Sequence, residues 1–335
     1  MTKLGIILLN MGGPTSIESV RPFLQNLFND PEIFSFGPMN VVRRPLAWYI
    51  AKRRSIPVGE NYRMIGGKSP LAELSAEQAA ALQERLSGTL GDDVEVVVRV
   101  GFSYWHPFIE EAADALEAEG CDRIILLPLY PQFSRTTTGS GFLTWDRIAR
   151  ERGDRLPPAE RIDAYPTHPD YIRAVSERID EALAEIPEDA RAEVTLLFSA
   201  HGTPVKVVEQ GDPYSHQIRE SVAAVMEHRG HDLPHHLSFQ SKVGPAEWLT
   251  PDTVARTKEL IAEGVRHLVV VPIAFVSDHI ETLHELDIDL RHEAETAGIT
   301  SFRVTKGLNA SPAYIDALAD LVARRLAGQT TPSPA

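Results

Sequence analysis

A single cysteine, Cys121, is all the thiol chemistry available to this chain of 335 residues. One thiol excludes an intramolecular disulfide framework, and it equally excludes a cluster held by four thiolates of one chain. No apolar run approaches the roughly 18 residues that a membrane-crossing helix needs. The opening MTKLGIILLN lacks a small-residue cleavage site and continues straight into a glycine turn, so it reads as a first strand and not as a signal peptide. The third glycine of a GxGxxG fingerprint is missing after that strand, and GxxxxGK[ST] occurs nowhere, which speaks against a nucleotide site. Basic charge is also short. With 33 Lys and Arg against 47 Asp and Glu, the net charge is −14, which argues against a general nucleic-acid binder and leaves the cytoplasm as the default compartment.

What is present is globular: 43% hydrophobic and 24% charged residues, in a chain long enough for about two domains. Val194 to Ser199 is an apolar run without alternation, the mark of a strand buried on both faces of a parallel sheet. It stops at His201, held between Ala200 and Gly202. In open α/β sheets ligands sit outside the carboxyl ends of strands, so His201 is the first candidate for chemistry. A loop histidine that merely satisfies nearby backbone is the plainer alternative.

Further buried strands are expected at Leu4 to Asn10, Val94 to Val100, Arg123 to Leu129, His236 to Gln240, His267 to Pro272 and Ser301 to Val304. A short strand near Arg161 to Ala164, past the Pro157 and Pro158 linker, opens the second half. Helical spacing lies between them, beginning at Ser16 to Phe28 with Ser16 as cap. The alternation predicts a doubly wound α/β fold with parallel sheets. LLNMGGPTS corresponds to LLFSAHGTPV, and RIILLPLYPQF to HLVVVPIAFVS, a faint repeat that implies two similar halves facing each other across a cleft.

Ile33 to Gly59 is the odd segment. It holds five basic residues (Arg43, Arg44, Lys52, Arg53, Arg54), no acid, and an excess of large apolar residues including Phe34, Phe36, Met39, Trp48 and Tyr49. Either it lines a pocket or meets a membrane surface, with its basic residues suited to an anionic partner, or it is a broken hydrophobic hairpin packed on its own domain. His228, His231, His235 and His236 lie close together, but without acidic or thiol partners at ligand spacing they read as a solvated loop. After the strand at His267 to Pro272 comes a stretch in which Asp278, Glu281, Glu285 and Asp289 fall at steps of three, four and four. On a straight helix they stack on one face. An exposed ridge is tolerable at a few tenths of a kcal/mol per pair, so the stacking alone proves nothing. A histidine facing a column of carboxylates suits a divalent metal that is captured and handed on, with protons leaving the other way.

NMGGP at Asn10, YxxIGGxSP at Tyr62, YPQFSxxTTGS at Tyr130, FSAHGTP at Phe198, GDPY at Gly211, FQSKVGPxxWLxP at Phe239 and SDHIETLHELD at Ser277 together resemble the ferrochelatases over nearly the whole chain. The resemblance implies a lyase of haem and porphyrin biosynthesis that inserts ferrous iron into protoporphyrin IX and releases two protons. It implies two Rossmann-like domains, residues 1–157 with a porphyrin-lip insertion at 33–59 and residues 158–308. A helix at 309–327 packs back on the first domain, and a disordered tail follows at 328–335. His201 matches the family's active-site histidine as base or metal ligand, and Glu281 the carboxylate facing it. Asp278, His279 and Glu285 match a metal or proton path on a helix that contains a π-turn. Met11, Arg53, Tyr104, Tyr130, Tyr214 and Trp248 match porphyrin-binding positions.

Two departures stand out. Ser103 occupies a position where the family often has Arg, which leaves the porphyrin side-chain preference open, with coproporphyrin as the alternative substrate. The lone Cys121 is incompatible with the [2Fe–2S] cluster that some members carry, so no prosthetic group is expected and iron is a substrate. Without an apolar C-terminal tail, any membrane contact is expected to be peripheral, through 33–59. A cobalt or nickel chelatase and a non-enzymatic porphyrin or haem carrier remain as rivals; a serine hydrolase is remote, since GxSxG is absent.

Overall fold

The computed structural model describes residues 2–33, 41–91, 93–242 and 246–328. Phe34, Phe36 and Met39 of the basic segment, and the tail beyond Gly328, lie outside the described residues.

The first half runs β1 (Thr2–Asn10), α1 (Val20–Phe28), α2 (Arg43–Met64), α3 (Leu71–Ser87), β2 (Val94–Phe102), α4 (Ile109–Glu119) and β3 (Arg123–Pro128). A π-helical turn, Arg135–Gly139, leads into α5 (Ser140–Arg152), and β4 (Ala159–Arg161) follows. The second half runs α6 (Pro169–Ala184), β5 (Val194–His201), α7 (Val205–Glu209), α8 (Tyr214–His228), β6 (His235–Gln240), α9 (Thr253–Ala262) and β7 (His267–Pro272). A π-helix, Glu281–Leu290, then gives way to α10 (Arg291–Thr296), β8 (Ser301–Val304) and α11 (Pro312–Leu326).

Two parallel sheets result, ordered β2-β1-β3-β4 and β6-β5-β7-β8. Both follow one permutation, so the halves are two Rossmann-like units of the same winding, and β1 and β3 correspond to β5 and β7 as the sequence repeat pairs them. Apolar content decides which strands are central. Ile6, Leu8, Ile125 and Leu127 are fully buried, as are Leu196, Phe198 and Val269. Such side chains contribute ~1.5–3 kcal/mol each on burial. In this winding the strand order reverses between β1 and β3, and again between β5 and β7, which is where an open α/β sheet leaves a crevice at its carboxyl edge.

Three expectations change. The helix expected from Ser16 begins at Val20, because Ser16 and Ser19 bond to each other: Ser16 N–H donates to Ser19 Oγ at 2.9 Å, and Ser19 Oγ–H to the Ser16 carbonyl at 2.8 Å. The strand expected at Arg161 to Ala164 lies at Ala159–Arg161 and pairs with β3, so it closes the first sheet and does not open the second half. The basic segment is no broken hairpin over its described residues, since α2 runs unbroken for 22 residues with Pro57 on its exposed side. Ala47, Ala51, Gly59 and Tyr62 form its buried stripe; the small residues at four-residue steps let it lie close against α1. Val41, Trp48, Tyr49, Ile56 and Met64 are left exposed.

The halves are locked by buried polar contacts. Gln132 Nε2 donates to Ser221 Oγ at 2.9 Å and to the Tyr171 hydroxyl at 3.2 Å. Gln78 Nε2 donates to the Asn309 carbonyl at 2.9 Å and to Ser277 Oγ at 3.1 Å. α11 packs on α3 and α6, with Tyr314 and Leu318 in an apolar cluster that runs from one sheet to the other. The carboxyl ends of both sheets meet as a consequence: Ile280, which precedes the π-helix, packs into the cluster of Met11, Tyr62 and Tyr104.

Candidate active site

His201 is the last residue of β5. Behind it Phe198 and Ala200 are fully buried, whereas the imidazole is 38% exposed, so the ring is the point where the strand meets the cleft. Its backbone is fixed from below by Tyr214, whose hydroxyl donates to the His201 carbonyl at 3.0 Å. Nδ1 lies 2.9 Å from Glu281 Oε2. Burial draws the His201 pKa down, but the Glu281 carboxylate outweighs it and the net shift is upward. For Glu281 burial pushes up, and the adjoining imidazolium reverses that to hold the carboxyl well below the usual range. The pair therefore favours a charged imidazolium and carboxylate when nothing else occupies the cleft.

The straight ridge of four carboxylates is not what forms. A π-helix closes its hydrogen bonds five residues apart, so residues four apart no longer register as they would on an α-helix. The π-turn implied by the family resemblance is present, and it brings only Glu281 and Glu285 to a common partner. Ser241, just past β6, places Oγ 3.1 Å from Glu281 Oε2 and 2.6 Å from Glu285 Oε2. Gln240 Nε2 reaches Glu281 Oε2 at 3.4 Å, and its Oε1 accepts from Ser199 Oγ at 2.7 Å. Burial and the nearby Glu281 charge raise Glu285 to about 7. Asp289 is exposed and pairs instead with buried His284, its Oδ2 3.1 Å from the ring Nδ1. Asp278 is spent on structure: it accepts from Gly307 N–H at 3.0 Å and from Asn309 Nδ2 at 2.9 Å.

His279 is buried with neither ring nitrogen hydrogen-bonded, its ring 4.2 Å from that of Phe275. Burial lowers its pKa, so it is held neutral. A buried polar group without a partner costs about 1–3 kcal/mol. Phe275 stands between the two histidines, 6.2 Å edge-on from the His201 ring. Met11 follows β1 in the turn Asn10 to Pro14. There Gly13 is required, because a Cβ would fall 2.4 Å from Ser69 Oγ of the loop after α2. Tyr130 follows β3, and burial raises its phenol pKa. Tyr104 is buried with its hydroxyl committed to Asp30 Oδ2.

Arg53 and Trp248 are the remaining predicted positions. Arg53 is exposed on α2, its guanidinium 5.8 Å from the Tyr49 ring. Trp248 packs against the turn after β5, where a Cβ on Gly202 would lie 3.2 Å from its Cε3. Sequence reading missed the roles of Ser241 and Gln240. Tyr62 sits near the end of α2, its phenol pKa raised by burial and by the nearby Glu281 charge. Membership in the motifs at Tyr62 and Phe239 was the signal that pointed to them.

The ferrochelatase family model matches residues 3–326. The chain belongs to the ferrochelatase family. A ferrochelatase from a Cyanothece species is 45% identical over 98% of this chain and 84% of its own, and one from Gloeobacter violaceus is 45% identical over 97% and 98%. Among solved structures, the chelatase SirB from Bacillus subtilis, determined with Fe3+, aligns over 98% of both chains with a TM-score of 0.55 at 12% identity. CbiX, a terminal enzyme of sirohaem biosynthesis, aligns with a TM-score of 0.50 at 13% identity over 96% of this chain and 98% of its own. At that distance they support the chelatase fold and nothing finer. As a ferrochelatase the chain is a metal-inserting porphyrin enzyme.

Proposed function

We propose that this chain inserts ferrous iron into protoporphyrin IX, with His201 and Glu281 facing the reacting nitrogens. The observation that carries the reading is the hydrogen-bonded His201 and Glu281 pair at 2.9 Å, at the crevice where the halves meet, backed by half-buried Glu285. Insertion needs two N–H protons removed from the macrocycle, and an imidazole with a carboxylate behind it is a base whose conjugate acid is already stabilised. No group of three or more His, Cys, Asp or Glu among the described residues is arranged to hold a metal ion. That suits a transfer site, where the protein offers one or two ligands and the porphyrin nitrogens supply the rest. Met11, Tyr104, Tyr130, Tyr214 and Trp248 would wall the macrocycle, and Arg53 would face its carboxylates.

The test is anaerobic loss of free-porphyrin fluorescence on adding ferrous iron, with protoporphyrin and coproporphyrin compared. Faster haem formation with protoporphyrin is expected. Faster insertion into coproporphyrin would move the substrate to that alternative, and tight binding without insertion would leave a carrier.

No helix of the described residues is long and apolar enough to cross a membrane. The exposed Trp48, Tyr49, Ile56 and Met64 beside the basic residues of α2 support peripheral contact with an anionic bilayer. Replacing Lys52 and Arg54 by Gln should weaken binding to anionic vesicles about thirtyfold, at ~1 kcal/mol per charge. Unchanged co-sedimentation would remove this face from consideration.

A further inference from the structure

Ser241 holds a backbone conformation that serine avoids. Its φ is +66°, in the left-handed region, where a side chain with a Cβ meets the carbonyl that follows. Such positions cost roughly 1–3 kcal/mol and persist where the surroundings fix them. Here the effect is to put one hydroxyl between two carboxylates, 3.1 Å from Glu281 Oε2 and 2.6 Å from Glu285 Oε2.

A hydroxyl has one hydrogen and can donate to one of these oxygens at a time. The other contact is attractive only if that carboxyl carries a proton and donates it to Oγ. The shorter distance, to Glu285, is that of an O–H···O bond involving a charged or strongly polarised partner. The arrangement is therefore a line of exchangeable hydrogens running from the His201 side of the cleft to Glu285. Glu285 is the partly exposed end of that line, with the exposed Asp289 one turn further on.

We propose that the Ser241 hydroxyl is the bridge by which protons taken from the porphyrin pass from Glu281 to Glu285 and on to water. The inference rests on the iron-insertion reading above. Each passage is a proton exchange alone. Glu285 gives its proton to bulk water; the Ser241 hydroxyl turns and gives its hydrogen to Glu285; Oγ takes the proton from Glu281, which has received it from His201 Nδ1. Glu281, Ser241 and Glu285 then return to their starting states, while His201, having taken a proton at one ring nitrogen and lost one from Nδ1, must exchange its remaining N–H before the next passage; two passages account for the two protons released per iron inserted. Ser241 acts through Glu281 and touches no substrate, so its part is positioning and relay.

Ser241→Gly separates the relay from a structural role. Glycine is at ease at positive φ, so the variant should fold and melt at or above the wild-type temperature. Its kcat for ferrous iron insertion should nevertheless fall tenfold to about a hundredfold, with KM for porphyrin within about twofold and a larger solvent deuterium isotope effect on kcat. Glu285→Gln should lose a similar factor, and the double variant should be no slower than the slower single one, since both interrupt one path. A folded Ser241→Gly with near wild-type kcat, or losses that multiply in the double variant, would overturn the proposal. Should glycine prevent folding, Ser241→Ala carries the same comparison. Wild-type protein is the control: if it inserts no iron, the underlying reading falls, whereas equal insertion by wild type and Ser241→Gly removes the relay alone.

Discussion

His201→Ala is expected to abolish iron insertion, lowering kcat about 10⁴-fold, the upper range for removal of a positioned general base. Porphyrin should still bind, because the proposed walls at Met11 and Tyr130 are contributed by the other half. The fold should survive as well. The imidazole is 38% exposed, and the contacts that seat residue 201 are made by its backbone: the Tyr214 hydroxyl bonds its carbonyl, and β5 pairs with β6 at Gln240. An alanine leaves both in place. What changes is the partner of Glu281. Without an imidazolium, burial is opposed less and the Glu281 pKa rises, which weakens the site's hold on the anion that would attract ferrous iron. Anaerobic single-turnover kinetics with protoporphyrin, alongside a fluorescence titration of porphyrin binding, check both halves of this statement. Turnover near that of wild type would remove His201 from the chemistry.

The strands were legible because burial on both faces writes itself as an apolar run. Val194 to Ser199 falls within β5, and His267 to Pro272 is β7. Partners are another matter. Ala159–Arg161 belongs to the first sheet because it pairs with β3, and nothing within three residues encodes which sheet will accept them. The unbroken α2 was hidden for a different reason: its buried stripe is Ala47, Ala51 and Gly59, so the small residues that pack carry little hydrophobic signal. The large ones that drew attention, Trp48, Tyr49 and Ile56, face outward. At the site, His201 and Glu281 were named from position and resemblance together, and they stand 2.9 Å apart. Asp278 matched a motif but is tied to Gly307 and Asn309, contacts made by a loop nearly thirty residues away that no local spacing reveals. Ser241 lies within the motif at Phe239, but its bridging position was out of reach, since a positive φ at serine is imposed by tertiary structure against local preference.

Glu281→Gln is expected to lower kcat by about 10³-fold with a smaller effect on porphyrin affinity, as removal of the charge that stabilises protonated His201. The substitution is nearly isosteric and leaves Ser241 and Gln240 able to bond an oxygen or nitrogen at the same place. It removes the negative charge. In the wild type that charge overcomes burial to raise the His201 pKa above 6.5, and it adds to burial in raising Glu285. Both should therefore move down in the variant. A histidine must be neutral to accept a proton, so wild-type kcat/KM should rise with pH through a midpoint above 6.5. In Glu281→Gln that limb should shift to lower pH, because burial then acts on the imidazole with only the weaker Glu285 charge opposing it. The same loss bears on stability. His201 with a raised folded pKa stabilises the wild type fully below 6.5 and progressively less as pH rises through the folded value. Glu281, with a depressed one, stabilises above its unfolded value of 4.5 and less as pH falls toward its folded one. The difference in melting temperature between wild type and Glu281→Gln should accordingly be widest between about pH 4.5 and 6.5 and narrow on either side. A change confined to porphyrin affinity, with the kcat/KM limb unmoved, would mean that Glu281 shapes the pocket without serving the proton.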